Sequence, residues 1–395
     1  MQGNTVSTLG DLMYSVAIGY WVYEQTGSSA LMGIMSSISM FVTMFLSPFC
    51  GSIVDKCNRK WVMVGMDLLQ SAVMISVGVL VYFGRLSTTG VLIAAFLAAL
   101  GSVFYSPAIS TIMIDIIPHD DMVRGQSIFS GTNSLVSLVG SALSGALVAF
   151  FGVPVMVIFN GLSNLYSAIT EMFITAPKTV QQGNKVTVRG LFSDSRTAVK
   201  TIFSEPSLRL FVPFALTLNL LAAGCLTLVL PFCMEKGFSV DRYGYIMAIW
   251  TAASLICVLM LGAIKFKPKS RYLILAISFP VSGLFLAGAY LSNSFWLTCV
   301  FIFLGAFLNC AGNTIFNASL MLALPEENRG AILGFIQSAC VGGSALSTVI
   351  YGFIGEIVPL YIAFTVGTLI SLVPMFYVCF NKVTREFIVN NKKMG

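Results

Sequence analysis

The sequence predicts an all-α integral membrane protein with twelve transmembrane helices in two parallel six-helix pseudo-repeats. Of its 395 residues, 57% are hydrophobic and only 10% are charged, and the mean hydropathy is +0.89. Soluble domains carry about 25% charged residues, so no water-soluble packing could hide this much apolar surface. The apolar runs are about 20 residues or longer and lack the period-two alternation of barrel strands, so the spans are helices.

Twelve apolar windows supply the candidate spans. They cover about 2–24, 29–54, 61–83, 88–114, 124–151, 153–175, 208–235, 242–264, 271–291, 294–322, 329–355 and 357–380. Lys and Arg set the orientation, because cytoplasmic loops keep an excess of positive charge. With both termini in the cytoplasm, 19 of the 22 basic residues are cytoplasmic and only Arg85, Lys236 and Arg242 lie outside. This division requires an even number of spans.

The longest polar stretch lies in the middle of the chain and separates six spans from six. We expect an N-terminal half over 1–176, a cytoplasmic linker over 177–206, a C-terminal half over 207–381 and a cytoplasmic tail over 382–395. Apolar residues between Leu191 and Phe203 recur near helical spacing, which predicts a short amphipathic helix on the membrane surface. A disordered linker is the alternative for 179–188 only.

The two halves repeat each other in sequence. Gly33 and Gly244 each open an even-numbered span and are 211 residues apart, and Gly51 and Gly262 are separated by the same interval. Gly51 and Gly262 each precede a basic loop. Such a repeat predicts two halves of the same architecture.

A dense cluster of charge lies between the second and third spans. The stretch GSIVDKCNRK over 51–60 resembles the loop between helices two and three of the major facilitator superfamily of secondary transporters. The resemblance implies a gating loop formed by Gly51, Asp55, Lys56, Arg59 and Lys60. An ordinary positive-inside loop would explain the Lys and Arg, but not the glycine and the acid at that spacing.

The first span looks most like the drug:proton antiporter branch of this family, which includes macrolide-efflux and siderophore-export proteins. The similar stretches are STLGD over 7–11 and YEQTGS over 23–28. The resemblance implies export of an amphipathic solute against proton influx by alternating access. It also implies a central cavity lined by spans one, four, seven and ten.

Aromatic and amide side chains on these and adjacent spans are candidates for lining the cavity. They are Tyr14, Phe104, Tyr105, Asn219, Trp250, Asn309, Asn313 and Gln337. Aromatic walls with a few amides and few charges suit a bulky amphipathic solute. Packing is the alternative role for each of them.

Three acids inside the spans are candidates for proton coupling. Asp11 lies in the first span, Asp67 two turns into the third, and Glu171 about a turn from the cytoplasmic end of the sixth. A carboxylate in the membrane interior is costly unless it faces water, pairs or takes up a proton. Asp11 could instead accept hydrogen bonds from a helix end, Asp67 could join a charge network with Arg59, and Glu171 could reach up to the surface.

Two patterns of proton-coupled relatives are incomplete in this chain. The fourth span contains no arginine, and the fifth has Gly131, Gly140 and Gly145 but Ser141 where the family pattern has proline. The proton relay of those relatives therefore does not carry over directly. The glycines could serve helix packing alone.

Other function classes find little support in the sequence. No GxxxxGK[ST] phosphate-binding loop occurs, so the chain does not hydrolyse ATP itself. No cluster of His, Cys or paired acids lies within a span, so we expect no enzyme, metal site or cofactor.

The expected partners are a small-molecule substrate, a proton or sodium ion and the lipid bilayer, without nucleic acid. We expect a monomer in the cell membrane. The alternatives are an exporter of an endogenous siderophore or lipid, and a transporter-like sensor without flux.

Overall fold

All regular secondary structure in the described residues is helical. The computed structural model describes residues 2–116, 122–174, 199–264, 267–323 and 329–390. Its helices are α1 (Gln2–Thr26), α2 (Ser29–Lys56), α3 (Arg59–Tyr82), α4 (Thr88–Ile116), α5 (Met122–Phe151), α6 (Val153–Met172), α7 (Pro206–Thr227), α8 (Val229–Glu235), α9 (Val240–Ala263), α10 (Pro268–Leu291), α11 (Phe295–Ala323), α12 (Arg329–Ile354), α13 (Leu360–Cys379) and α14 (Lys382–Asn390). Residues 199–204 are also helical. The predicted all-α class is confirmed.

Ten helices of the described ranges are long and apolar enough to cross a membrane, or eleven if the bent α5 forms one span. α5 bends by 45° between Gly131–Ser141 and Leu143–Phe151, inside the stretch that carries the glycine pattern. α1 has 25 residues, enough to cross a membrane, but its polar residues lower its hydropathy. The protein is therefore a multi-pass membrane protein, while the count of twelve spans stays a prediction.

The chain divides into two compact units. Unit 1 comprises Met1–Thr187 with Ser239–Tyr245, and unit 2 comprises Val188–Phe238 with Ile246–Gly395. In unit 1, α3 packs against α4 and α6, and α1 packs against α5 and α6. In unit 2, α10 packs against α11 and α13, and α7 packs against α12 and α13. The same four pairings thus recur at the corresponding positions of the two sequence repeats.

Glycines allow these helices to approach closely. Gly10 of α1 lies against Asn160 and Ser163 of α6. In unit 2, Gly224 of α7 lies against α12, and a Cβ added there would be 2.7 Å from the carbonyl oxygen of Ser347. The Gly224 N–H donates to Ser347 Oγ at 2.9 Å. Small residues at such contacts are typical of helix packing in membranes.

The seventh predicted span is shorter than the sequence window. The window covers 208–235, but α7 ends at Thr227 and the separate helix α8 begins at Val229. Pro231 has no N–H to donate to the carbonyl of Thr227, and its ring clashes with that carbonyl in a continuous helix. The prediction of one helix over the whole window is therefore wrong.

The expected C-terminal tail contains a helix. α14 covers Lys382–Asn390, and Thr384 and Ile388 are both 0% exposed. Phe387 lies on the same face and meets Phe211 edge-on, with the ring centroids 5.7 Å apart. Spacings of three and four residues place these side chains on one side of a helix. α14 is thus an amphipathic helix packed on the core of unit 2. The predicted linker helix lies largely outside the described residues.

The turn after α8 ties three elements of unit 2 together. Lys236 Nζ donates to the carbonyl of Ser292 at 2.6 Å. The same ammonium lies 5.4 Å from the ring centroid of Phe232 and 5.3 Å from that of Tyr361. Glu235 Oε2 accepts a 2.7 Å hydrogen bond from the Leu360 N–H at the start of α13. The side chains of Glu235 and Lys236 thus hold the turn after α8 against the end of α10 and the start of α13.

Candidate functional site

Polar side chains follow one buried face of α6. Asn160, Asn164, Ser167 and Glu171 are spaced by four, three and four residues, so they share one side of the helix. Each is at most 5% exposed. Asn160 and Ser167 lie against the glycines of α1, at the contact between α1 and α6. These polar groups must therefore find partners inside unit 1.

Glu171 is the centre of a hydrogen-bond network. Tyr105 Oη of α4 donates to Glu171 Oε1 at 2.7 Å, and Ser167 Oγ donates to the same oxygen at 3.4 Å. Tyr105 Oη also lies 3.5 Å from Asn4 Oδ1, and Asn4 Nδ2 donates to Asn133 Oδ1 of α5 at 3.3 Å. The network joins α1, α4, α5 and α6. Glu171 is thus buried and bonded, and the alternative that it reaches up to the surface is wrong.

Asp67 of α3 lies beside this network. It is 3% exposed, its carboxyl interacts with Ser167, and it is close enough to Glu171 for their charges to interact. Asp67 Oδ2 and Glu171 Oε2 are buried without a hydrogen-bond partner among the described residues. Leaving such an oxygen unpaired costs free energy, and protonation of the carboxyl reduces that cost. The structure brings two of the three predicted coupling acids into one cluster.

Asp11, the third candidate, lies at the other end of the α6 stripe. Its carboxyl is beside the amides of Asn160 and Asn164. Asn164 Nδ2 donates to Asn160 Oδ1 at 3.1 Å. Unlike the other two acids, Asp11 is exposed within the chain. The stripe therefore connects Asp11 with the pair of Asp67 and Glu171.

A cavity of about 640 Å³ opens beside Glu171 and Tyr105 within unit 1. Binding sites for drug-sized ligands have volumes of about 300–1,000 Å³ and predominantly apolar walls. The walls here are mostly apolar and consist of Gln2, Gly3, Asn4, Met63, Tyr105, Ile109, Ile112, Met113, Ile116, Ile128, Phe129, Thr170, Glu171 and Ile174. One carboxyl, one phenol, two amide side chains and one threonine hydroxyl thus face a largely hydrophobic space.

The predicted gating-loop residues lie where α2 ends and α3 begins. Gly51, Asp55 and Lys56 are in the last turns of α2, and the side chains of Asp55 and Lys56 are outside the described part. Arg59 is 5% exposed at the start of α3. Lys60 Nζ donates to the Met172 carbonyl at 2.6 Å, at the C-terminal end of α6, where the helix dipole favours a cation. Their role in gating stays a prediction.

Several of the predicted lining residues have partners within their own unit. Asn219 Oδ1 accepts from Ser344 Oγ at 3.0 Å, and Asn313 Nδ2 donates to Asn309 Oδ1 at 2.8 Å. Phe104 packs with buried side chains of unit 1. Tyr14 has a buried hydroxyl without a hydrogen-bond partner in the described residues. Trp250 is half-buried and Gln337 is exposed. Tyr105 alone among the eight lines the 640 Å³ cavity.

The sequence analysis missed five amide or hydroxyl residues of the site. They are Asn4, Asn133, Asn160 and Asn164, and Ser167 belongs with them as the hydroxyl next to both buried acids. The polar stripe of α6 was detectable, because its helical spacing interrupts an otherwise apolar span. Asn4 and Asn133 carry no such signal, since each is a single amide on its helix face.

The sequence model of the Major Facilitator Superfamily matches residues 3–348, with a second match over 214–392. Macrolide efflux protein A of Streptococcus pyogenes is 22% identical over 176 residues, which are 45% of this chain and 44% of that protein. Multidrug efflux pump Tap of Mycobacterium bovis is 27% identical over 177 residues, 43% of this chain and 38% of that protein. The alignments thus span less than half the length of either relative.

A solved structure agrees with the family match. The crystal structure of the nucleoside transporter NupG superimposes with a TM-score of 0.75 over 95% of this chain and 98% of that one, at 13% identity. At this identity the likeness shows the fold alone. The family match covers most of the sequence, and the helical units described above have the same fold. The chain therefore belongs to the major facilitator superfamily of membrane transporters.

Proposed function

We propose that this transporter exports an amphipathic small molecule in exchange for protons, by alternating access across the cell membrane. The observation that carries the proposal is the buried pair of Asp67 and Glu171, which interact with each other and share Ser167 as a neighbour. Two adjacent buried carboxyls resist holding two negative charges at once, so one of them would hold a proton. Binding and release of that proton would couple the ion to the transport cycle.

The geometry also supports a link between the proton and the substrate. Glu171 belongs both to the acid pair and to the wall of the 640 Å³ cavity, and Tyr105 bonds Glu171 from the same wall. A solute in this cavity would change the surroundings of Glu171, and a proton on Glu171 would change the charge that the solute meets. The two ligands would then influence each other's affinity reciprocally. The efflux activity in the names of the two relatives favours export over uptake.

Transport by purified protein in proteoliposomes tests the coupling. Macrolides, cationic dyes and siderophores are screened for movement that depends on an imposed proton gradient, with a sodium gradient as the parallel condition. We expect Asp67→Asn and Glu171→Gln to abolish uphill export, because an amide keeps the shape but cannot exchange a proton. Exchange of labelled for unlabelled substrate, which needs no net proton movement, should persist.

Glu24→Gln is the matched control, because Glu24 is an exposed acid of α1 that accepts a hydrogen bond from Tyr20. Its uphill export should equal that of the wild type. If Asp67→Asn and Glu171→Gln both export against a gradient as well as the wild type, the acid pair is not the coupling site. Asp11→Asn then decides whether the role belongs to Asp11. Flux driven by a sodium gradient alone would show that sodium, and not the proton, is the coupling ion.

A further inference from the structure

A groove on unit 2 lies at the end of two membrane spans. It has a volume of about 430 Å³ and is lined by α7, α13 and the start of α14. α7 begins at Pro206 and α13 ends at Cys379, so the groove sits where these helices leave the membrane. Such a level is occupied by the headgroups of the surrounding lipid.

Two prolines shape the groove. Pro213 lies inside α7 and Pro374 inside α13, and both line it. Proline has no N–H for the carbonyl four residues earlier, and its ring prevents regular helix geometry at that point. Thr217 Oγ donates to the Pro213 carbonyl at 2.8 Å. Each helix therefore lacks one backbone hydrogen bond beside the groove, and the groove lies between the two prolines.

The mouth of the groove carries a positive charge that has no ionic partner among the described residues. Arg209 lines the groove and is exposed, and its guanidinium makes no hydrogen bond or ion pair with any residue of the described ranges. Glu205, four residues earlier, does not pair with it. Lys382 at the start of α14 does have a partner, since its Nζ lies 3.7 Å from Glu386 Oε1. Among the described residues that line this groove, Arg209 is thus the basic side chain, and it remains available.

The walls below Arg209 are mostly apolar or aromatic, with Thr217 and Asn381 as the polar exceptions. Leu210, Phe214 and Val378 line the groove, and Val383 of α14 lines it from the side of the amphipathic helix. Tyr377 is 65% exposed on the same wall, and tyrosine is enriched at the membrane interface because it has an apolar ring and a polar hydroxyl. A cationic rim over an apolar wall is complementary to a molecule with an anionic head and an acyl chain.

We propose that this groove binds a glycerophospholipid with an anionic headgroup, with its phosphate on Arg209 and an acyl chain along Pro213 and Phe214. A guanidinium can hold a phosphate through two parallel hydrogen bonds, and basic pockets between membrane helices select anionic headgroups. The lipid would connect α14 to α7 and α13 through contacts to all three. This site is separate from the acid pair of unit 1 and does not depend on the identity of the transported solute.

Native mass spectrometry of the delipidated full-length protein tests the proposal. Phosphatidylglycerol and phosphatidylcholine with identical acyl chains are titrated separately, and the retained lipid is counted. We expect the wild type to retain phosphatidylglycerol at lower concentration than phosphatidylcholine. Arg209→Gln should weaken phosphatidylglycerol binding about fivefold, since one basic residue near an anionic headgroup contributes roughly that much to lipid affinity. Phosphatidylcholine binding should weaken less, because its choline ammonium offsets the charge of its phosphate.

Lys200→Gln is the matched control, because Lys200 is an exposed cation of unit 2 in the helical segment 199–204 and does not line the groove. It should bind both lipids like the wild type. Val383→Trp, which fills the groove and keeps Arg209, should reduce retention of both lipids. Inorganic phosphate at millimolar concentration should not displace phosphatidylglycerol. The proposal is overturned by equal retention of the two lipids in the wild type, by unchanged phosphatidylglycerol binding in Arg209→Gln, or by displacement by phosphate alone.

Discussion

Replacing Gly161 by alanine tests the close packing of α3 on α6, which holds Asp67 near Glu171. A Cβ at Gly161 would lie 2.6 Å from Ile75 Cγ1, 2.9 Å from the Ile75 backbone nitrogen and 3.2 Å from the Ser71 carbonyl oxygen. The Ile75 side chain can rotate away, but the two backbone atoms move only with their helix. Ordinary contact begins at 3.4 Å. The helices must therefore separate by about half an ångström.

Gly65→Ala in α3 is the matched control, because a Cβ there meets nothing within 4 Å. Alanine stabilises a helix by up to about 1 kcal/mol relative to glycine, and this term is common to both variants. Their difference therefore isolates the steric term, which is about 1–3 kcal/mol for an overpacked site. At about 2–4 °C per kcal/mol for a unit of this size, Gly161→Ala should melt about 2–12 °C below Gly65→Ala.

Thermal unfolding of the purified variants in one detergent measures this difference. A thiol-reactive dye reports exposure of buried cysteines such as Cys50, which is 1% exposed in unit 1. Proton-driven export should fall together with the melting temperature, because separation of α3 from α6 also separates the two acids. Identical melting temperatures for Gly161→Ala and Gly65→Ala would show that α3 and α6 are not in contact at this point, and the reasoning would fail.

Two further predictions concern topology and the turn after α8. A single cysteine at Asn184 in a cysteine-free background should resist membrane-impermeant thiol reagents in intact cells, because 19 of 22 basic residues place this linker inside; rapid labelling would reverse the orientation. Lys236→Met removes the 2.6 Å hydrogen bond to the Ser292 carbonyl and two cation–π contacts, and the two cation–π contacts together contribute about 1 kcal/mol. The substitution should therefore lower the melting temperature by about 2–4 °C. Lys382→Met, which breaks only an exposed ion pair, should change it far less; equal effects of the two substitutions would contradict a structural role for Lys236.

The helices were predictable because each span must be apolar over its whole length. A window of about 20 apolar residues is a strong signal, and the described helices coincide with the predicted windows to within a few residues at most ends. The break before α8 was also detectable, since Pro231 stands inside the seventh window. α14 has the period of an amphipathic helix in Thr384, Phe387 and Ile388, but three residues in a short polar segment are a weak pattern.

The sequence identifies Asp67, Glu171 and Tyr105 as candidate site residues, but it does not predict which of them are in contact. The sequence singles out Asp67 and Glu171 because an acid inside a span is rare. That they meet depends on the rotation of α3 and α6 about their axes, which is set by side-chain packing between distant parts of the chain. Tyr105 was predicted as a cavity residue for its aromatic ring, whereas its hydroxyl proves to be the donor to Glu171. Hydrophobic patterns do not determine such partners.

The uneven placement of buried charge has an electrical consequence. In the described ranges, the charged side chains that are buried are Arg59, Asp67 and Glu171, all in unit 1, while the buried polar side chains of unit 2 are serines and threonines. Moving one elementary charge across a membrane potential of 100 mV changes its energy by about 2.3 kcal/mol. Hydroxyls of serine and threonine stay neutral at every physiological pH, so the membrane potential exerts no net force on them. An ionised Asp67 or Glu171 would therefore respond to the membrane potential, whereas the buried hydroxyls of unit 2 would not.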